Sequence, residues 1–174
     1  MPVFVRKVTR AKWERREGLA EGEIPSDAVS ADLRTNGNTL SFWTCGSPAP
    51  AEIEETVLAL ATSADRVDRM DVAWIADTSV REQNLATEAT EGRTPVAALR
   101  GRHVDVVRLD VHRLVKVASL VANALEQGQH RRLTKRDVVE VVAKAVREGL
   151  VVLADLQDDV RAEVEKGLNG QRDA

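Results

Sequence analysis

At 174 residues, with 43% apolar and 30% charged side chains, the chain has the composition of a folded globular protein and not of a disordered one. A formal charge of -3 excludes a surface made throughout for nucleic acid, and a single cysteine, Cys45, excludes an intramolecular disulfide or a four-cysteine metal site. No apolar run approaches the roughly 18 residues of a membrane span, and the opening MPVFVRKVTRAKW carries charges where a secretory signal needs its apolar stretch. The expectation is a soluble protein of a reducing, cytoplasmic compartment. Nineteen arginines against six lysines, with abundant Ala and Val, suggest a GC-rich bacterial genome.

Residues 3–8, VFVRKV, are β-branched and read as a strand. Thr9 can cap a short helix to about residue 16, with Trp13 on its apolar side. Charge is segregated here: residues 1–16 carry a net +5 and residues 17–33 a net -5. The two stretches can attract each other, or the first can face phosphates or an acidic partner. Residues 29–44 hold the strongest local signal. Asn36-Gly37 suits a two-residue turn with positive φ, and closing a hairpin there puts Leu33 opposite Leu40 and Ala31 opposite Phe42 on one apolar face. Trp43 then falls on the mostly polar face, where another element is expected to cover it, although an exposed aromatic ring on a sheet is also how a partner surface looks.

Ser47-Pro48 opens a helix to about residue 63, lined by Ile53, Val57, Leu60 and Ala61. Glu52, Glu54 and Glu55 in its first turns complement the helix dipole, which accounts for them without chemistry. MDVAWIA at 70–76 reads as a central strand, and strand, helix, strand across 39–76 is the pattern of a right-handed crossover. Between 78 and 102 the periodicity fades into a short helix and a long loop with Gly92, Pro95 and Gly101. HVDVVRL at 103–109 is a fifth strand. DVHRLVKVASLVANALEQ at 110–127 is apolar on most of its circumference, which predicts a helix covered on several sides at the centre of the core. Thr134 and Asp137 resemble a capping box for a helix buried through Val138, Val142 and Ala145. A last helix over 155–168 carries one apolar residue per turn: Leu156, Val160, Val164 and Leu168. The fold predicted is α+β: a mixed sheet of about five strands, including the 29–44 hairpin, covered by helices. Residues 1–109 form the sheet region and 110–174 a helical region packed on it.

Walker A, GxGxxG, GxSxG, HExxH and CxxC patterns are all absent. On a strand, His103 and Asp105 project to one face, and Asp110 and His112 follow at the strand-to-helix junction. His103, Asp105 and His112 are therefore the candidate catalytic set, an imidazole base with an orienting carboxylate or a pair of imidazoles for a divalent ion. Asp110 is equally the expected N-cap of the following helix. Arg93, Arg100 and Arg102, beside His103, form a candidate anion cradle, since guanidinium groups grip phosphate bidentately. Arg131, Arg132, Lys135 and Arg136 open a helix and are the candidate nucleic-acid contacts, although the valines that follow cannot read bases. Trp43, Leu156, Val160 and Val164 are candidate interaction residues. No metal set is assigned and no cofactor is implied. The absence of motifs favours a non-enzymatic interaction protein, a regulatory or accessory subunit with a protein partner or a second copy of itself. A small His- or metal-dependent enzyme acting on a phosphate-bearing substrate stands beside it, and a nucleic-acid-binding module is the third reading.

Overall fold

The computed structural model describes residues 1–14 and 17–170, so Arg15 and Arg16 of the basic stretch and the polar tail 171–174 lie outside the described residues. Six strands form one sheet: β1 (Val3–Val8), β2 (Leu40–Cys45), β3 (Met70–Ala76), β4 (Ala86–Ala89), β5 (His103–Val107) and β6 (His130–Leu133), in the order β4-β5-β2-β1-β3-β6. Every pairing is antiparallel. The α+β class holds, and the sheet is antiparallel where the sequence suggested a mixed one. Helices α1 (Arg10–Glu14), α2 (Ser26–Asp32), α3 (Pro50–Thr62), α4 (Asp77–Glu82), α5 (Val111–Glu126), α6 (Lys135–Arg147) and α7 (Asp158–Gly170) cover its two faces.

Alternation along the strands divides the core in two. Val3, Val5, Trp43, Cys45, Met70, Val72 and Leu133 face α3, α6 and α7. Phe4, Val8, Phe42, Ala73, Ile75, Val104 and Val106 face α1, α2, α4 and α5. Chains as buried as Phe42, Leu40 and Ile53, each about 1% exposed, contribute roughly 1.5 to 3 kcal/mol apiece. Strands β2 and β3 both run antiparallel to β1, which lies between them. The expected crossover through α3 therefore joins parallel strands that are not neighbours.

Of the predicted hairpin only a tight turn remains, and it is shifted by one residue, with Gly37 and Asn38 at its centre instead of Asn36 and Gly37. Asn36 and Thr39 exchange backbone hydrogen bonds of 3.2 and 3.1 Å around Gly37 and Asn38, both at φ 60°. The residues before it form helix α2 instead of a strand, so Ala31 does not pair with Phe42. Helical spacing turns Ala28 and Asp32 inward together. Asp32 is 9% exposed and accepts from the Thr9 backbone N–H at 2.6 Å, the Thr9 hydroxyl at 2.8 Å and Trp13 Nε1 at 2.7 Å. A buried carboxylate with three donors ties α1 to α2, and a strand could not have presented it this way.

Three further expectations are corrected. In the 78–102 region the expected short helix is present as α4, but the long loop after it contains edge strand β4 and a 3-10 turn at Ala97–Arg102. Of the basic residues expected to open a helix, Arg131 and Arg132 lie instead on edge strand β6, held by Leu133 in the core, while the Thr134–Asp137 capping box begins α6 as expected. Helix α5 is not the central strut. It buries Val117, Ala118, Val121 and Ala124 against one face of the sheet, and leaves Val111 75% and Val115 56% exposed. Among the described residues, no helix is long and apolar enough to cross a membrane.

Candidate functional site

Strands β1 and β2 pair only from Val3 to Val5, against Cys45 to Trp43. Beyond that point β1 continues with β3 as far as Val8, and β2 continues with β5 back to Leu40, so the two splay apart. Arg6 fills the wedge. Its Nε donates to the Asp32 carbonyl at 2.7 Å, its Nη1 to the Ser41 carbonyl, and its guanidinium lies 5.6 Å from the centre of the Phe42 ring. Burial lowers its pKa to about 10, opposed by the charges of Asp32 and Asp105, so it remains a cation at neutral pH.

At this splayed end, past the C-terminus of α3, no helix among the described residues covers the sheet and a cleft of about 590 Å³ opens. Arg6, Ser41, Thr90, Arg93, His103 and Asp105 line it, with Arg34, Asn36 and Thr39 at the turn-bearing rim. Trp43 forms its wall, stacking edge-on to His103 with ring centres 5.2 Å apart. Gly92 is required there, because a Cβ at that position would collide with the Trp43 ring.

The polar groups of the cleft are organised. Asp105 Oδ1 accepts from Ser41 Oγ at 2.7 Å, and Oδ2 accepts from Thr90 Oγ1 at 3.0 Å. The same Thr90 oxygen lies 2.6 Å from His103 Nδ1. A carboxylate oxygen only accepts, so the Thr90 hydroxyl proton points at Asp105 and its oxygen accepts from His103. The chain of bonds thereby assigns the proton of a neutral His103 to Nδ1, leaving the Nε2 lone pair without a partner among the described residues. Burial lowers the His103 pKa, and the Asp105 charge opposes that shift.

The sequence candidates separate sharply. His103 and Asp105 are brought together, as strand alternation required. His112 is not: it is exposed in the first turn of α5, which packs on the opposite face of the sheet. Asp110 is the N-cap of α5, accepting from the Arg113 N–H at 2.8 Å, and that bond holds its pKa low. Of the anion cradle, Arg93 lines the cleft. Arg100 instead donates to the Thr94 carbonyl at 2.9 Å and faces Glu91 at 3.8 Å, and Arg102 pairs with Glu55.

The basic run is dispersed. Arg131 pairs with Glu54 at 3.0 Å, Arg132 lies 3.6 Å from Asp71, and Lys135 pairs with Glu163 at 2.7 Å. Only Arg136 of the four is exposed with no hydrogen bond or ion pair among the described residues, so no continuous basic patch results. The interaction candidates are interior: Trp43 is 6%, Leu156 3%, and Val160 and Val164 0% exposed. Leu156, Val160 and Val164 pack within their own fold, in the cluster shared with α3 and α6, and are not available to a partner. Among the described residues, no group of three His, Cys, Asp or Glu side chains could hold a metal ion. The site residues that sequence reasoning missed are Arg6, Arg34, Ser41 and Thr90, which come from four separate segments with no shared motif.

No protein-family model matches the chain, and neither a curated protein nor a solved structure gives a significant match.

Proposed function

We propose that this protein binds a small phosphate-bearing molecule in the cleft at the splayed end of its sheet. The observation that carries the reading is the convergence of three arginines and a histidine on one concavity. Arg34 and Arg93 are exposed and have no hydrogen bond or ion pair among the described residues, whereas most other basic side chains lie against a carboxylate or carbonyl. Guanidinium groups held in a concave site suit a multiply charged oxyanion better than a carboxylate of single charge. Trp43, Ser41 and Thr90 supply an aromatic wall and neutral polar groups for the rest of the ligand, the usual composition of a small-molecule site.

Thermal melts with inorganic phosphate and pyrophosphate test this directly. A ligand at a hundred times its Kd stabilises a folded chain by about 2.7 kcal/mol. The melting temperature rises in the wild type and not in the Arg34→Ala, Arg93→Ala double variant. Equal responses in both would place the anion elsewhere.

A second reading, an accessory subunit or a self-associating chain, draws support from α5, where Val111 and Val115 stand exposed on the outer surface. Light scattering with Val111→Ser, Val115→Ser separates it: association lost in the variant supports a docking role. A wild type that is monomeric alone and in cell extract argues against one.

A further inference from the structure

We infer that His103 is a general base, placed to take a proton from a hydroxyl or water lying beside the anion in the cleft. This rests on the reading of the cleft as an oxyanion site and names what the site does to its ligand. The argument is geometric. Thr90 Oγ1, between His103 Nδ1 at 2.6 Å and Asp105 Oδ2 at 3.0 Å, fixes the tautomer, and Ser41 fixes the carboxylate from its other side at 2.7 Å. Trp43, seated against Gly92, holds the ring from its edge. A base whose ring is oriented through one nitrogen and open at the other has the arrangement that proton abstraction requires.

The step balances simply. The O–H bond of the ligand hydroxyl or water breaks and its electron pair stays on oxygen. The proton forms an N–H bond at Nε2, and the imidazolium charge is met by Asp105 through Thr90. The charged groups around the ring set the balance of this transfer. Asp105 on the same strand favours the protonated ring. Arg6 from β1, Arg93 from the loop after β4 and Arg34 from the turn rim oppose it, and Glu91 at the mouth favours it. Burial keeps the resting ring neutral, so it is the accepting form that meets the ligand.

The same lone pair gives a readout that needs no substrate. Hydrogen phosphate carries a proton it can donate to Nε2, whereas sulfate has none to offer. At pH 7.5 the full chain is expected to bind inorganic phosphate at least tenfold tighter than sulfate by titration calorimetry. His103→Asn keeps a donor toward Thr90 but has no Nε2, and brings the two anions to within about twofold, a loss of at least about fivefold in discrimination, or about 1 kcal/mol. Nitrogen NMR of His103 in the unliganded chain shows the proton on Nδ1, and Thr90→Val allows both tautomers.

Equal affinity for the two anions in the wild type, or a preference unchanged in His103→Asn, overturns the inference. So does a proton found on Nε2. Failure of both anions to bind overturns the oxyanion reading itself. The tautomer measured in the free protein then judges the oriented base separately.

Discussion

One face of the sheet holds two regions built on opposite rules. Where α3, α6 and α7 cover it, the strands present Val3, Val5, Trp43, Cys45, Val72 and Leu133, all buried. Continue two residues along the same strands, past the end of α3, and the same face presents Lys7, Ser41 and Asp105. Exposure alone would give a solvated polar surface, with each side chain bonded to water. Here Ser41, Thr90, Asp105 and His103 bond to one another, and the sheet opens to let Arg6 through. The difference teaches that the uncovered end is ordered by hydrogen bonds among its own polar side chains, while the covered end is ordered by the exclusion of water.

The covered region breaks most severely when its last layer is removed. Truncation before Asp155 strips away Leu156, Val160 and Val164, whose burial contributes roughly 5 to 9 kcal/mol. That rivals the whole stability of an ordinary domain, so cooperative unfolding should disappear from the melt. A truncated chain that still melts sharply would make α7 an appendage, contrary to its place in the core.

The border between the two regions is narrower and its disruption smaller. Gly92→Ala forces a methyl group against the Trp43 ring, an overpacking that costs about 1 to 3 kcal/mol. The change should lower the melting temperature and also shift the Trp fluorescence, since Trp43 must move away from His103. An unaltered spectrum and stability would mean that the wall is not held as described.

The smallest effect belongs to the open end and is read against pH. The His103 pKa lies below its ordinary 6.5 in the folded chain, chiefly through burial. Between the folded and unfolded values the unfolded chain binds more protons, so stability is full above pH 6.5 and is lost as pH falls through the folded value. The wild type should lose melting temperature from pH 7 to 5, and His103→Asn should lose less. The carboxyl groups of Glu52, Asp110, Asp137 and Glu163, all held low by hydrogen bonds, respond only below their ordinary values of 4.5 and 3.8. Parallel curves for the two proteins across pH 7 to 5 would leave no role for burial of this ring.

The covered region was the more legible in sequence, for a physical reason. Burial writes itself as period: β1, β3, α3, α6 and α7 each show the spacing of the face they bury. Where burial is slight the pattern vanishes: ATEA of β4, exposed throughout, reads as loop, and HRRL of β6, with Leu133 its buried residue, reads as the opening of a helix. Helix α2 misled in the other direction. Val29, Ala31 and Leu33 alternate as a strand would, and the turn at Gly37 is real, but the inward pair is Ala28 and Asp32. Helix α5 was apolar enough to suggest a central place, yet only one stripe of it is buried.

The open end was legible only in its one local pair. His103 and Asp105 are two residues apart on a strand, so alternation placed them together. Their partners Arg6, Ser41 and Thr90 arrive through strand pairing and through a wedge in the sheet, neither of which leaves a spacing to read. His112, close in sequence, was carried to the opposite face by the turn at Arg108, a non-glycine residue at φ 56°.

The central claim is that the uncovered end of the sheet is an oxyanion site. Amide and side-chain NMR of the full chain titrated with inorganic phosphate tests it most directly. The account expects saturable shifts confined to Arg6, Arg34, Ser41, Thr90, Arg93 and His103, lost together in the Arg34→Ala, Arg93→Ala variant. Shifts clustered instead at Arg131, Arg132 and Arg136, or none at tens of millimolar phosphate, would contradict it.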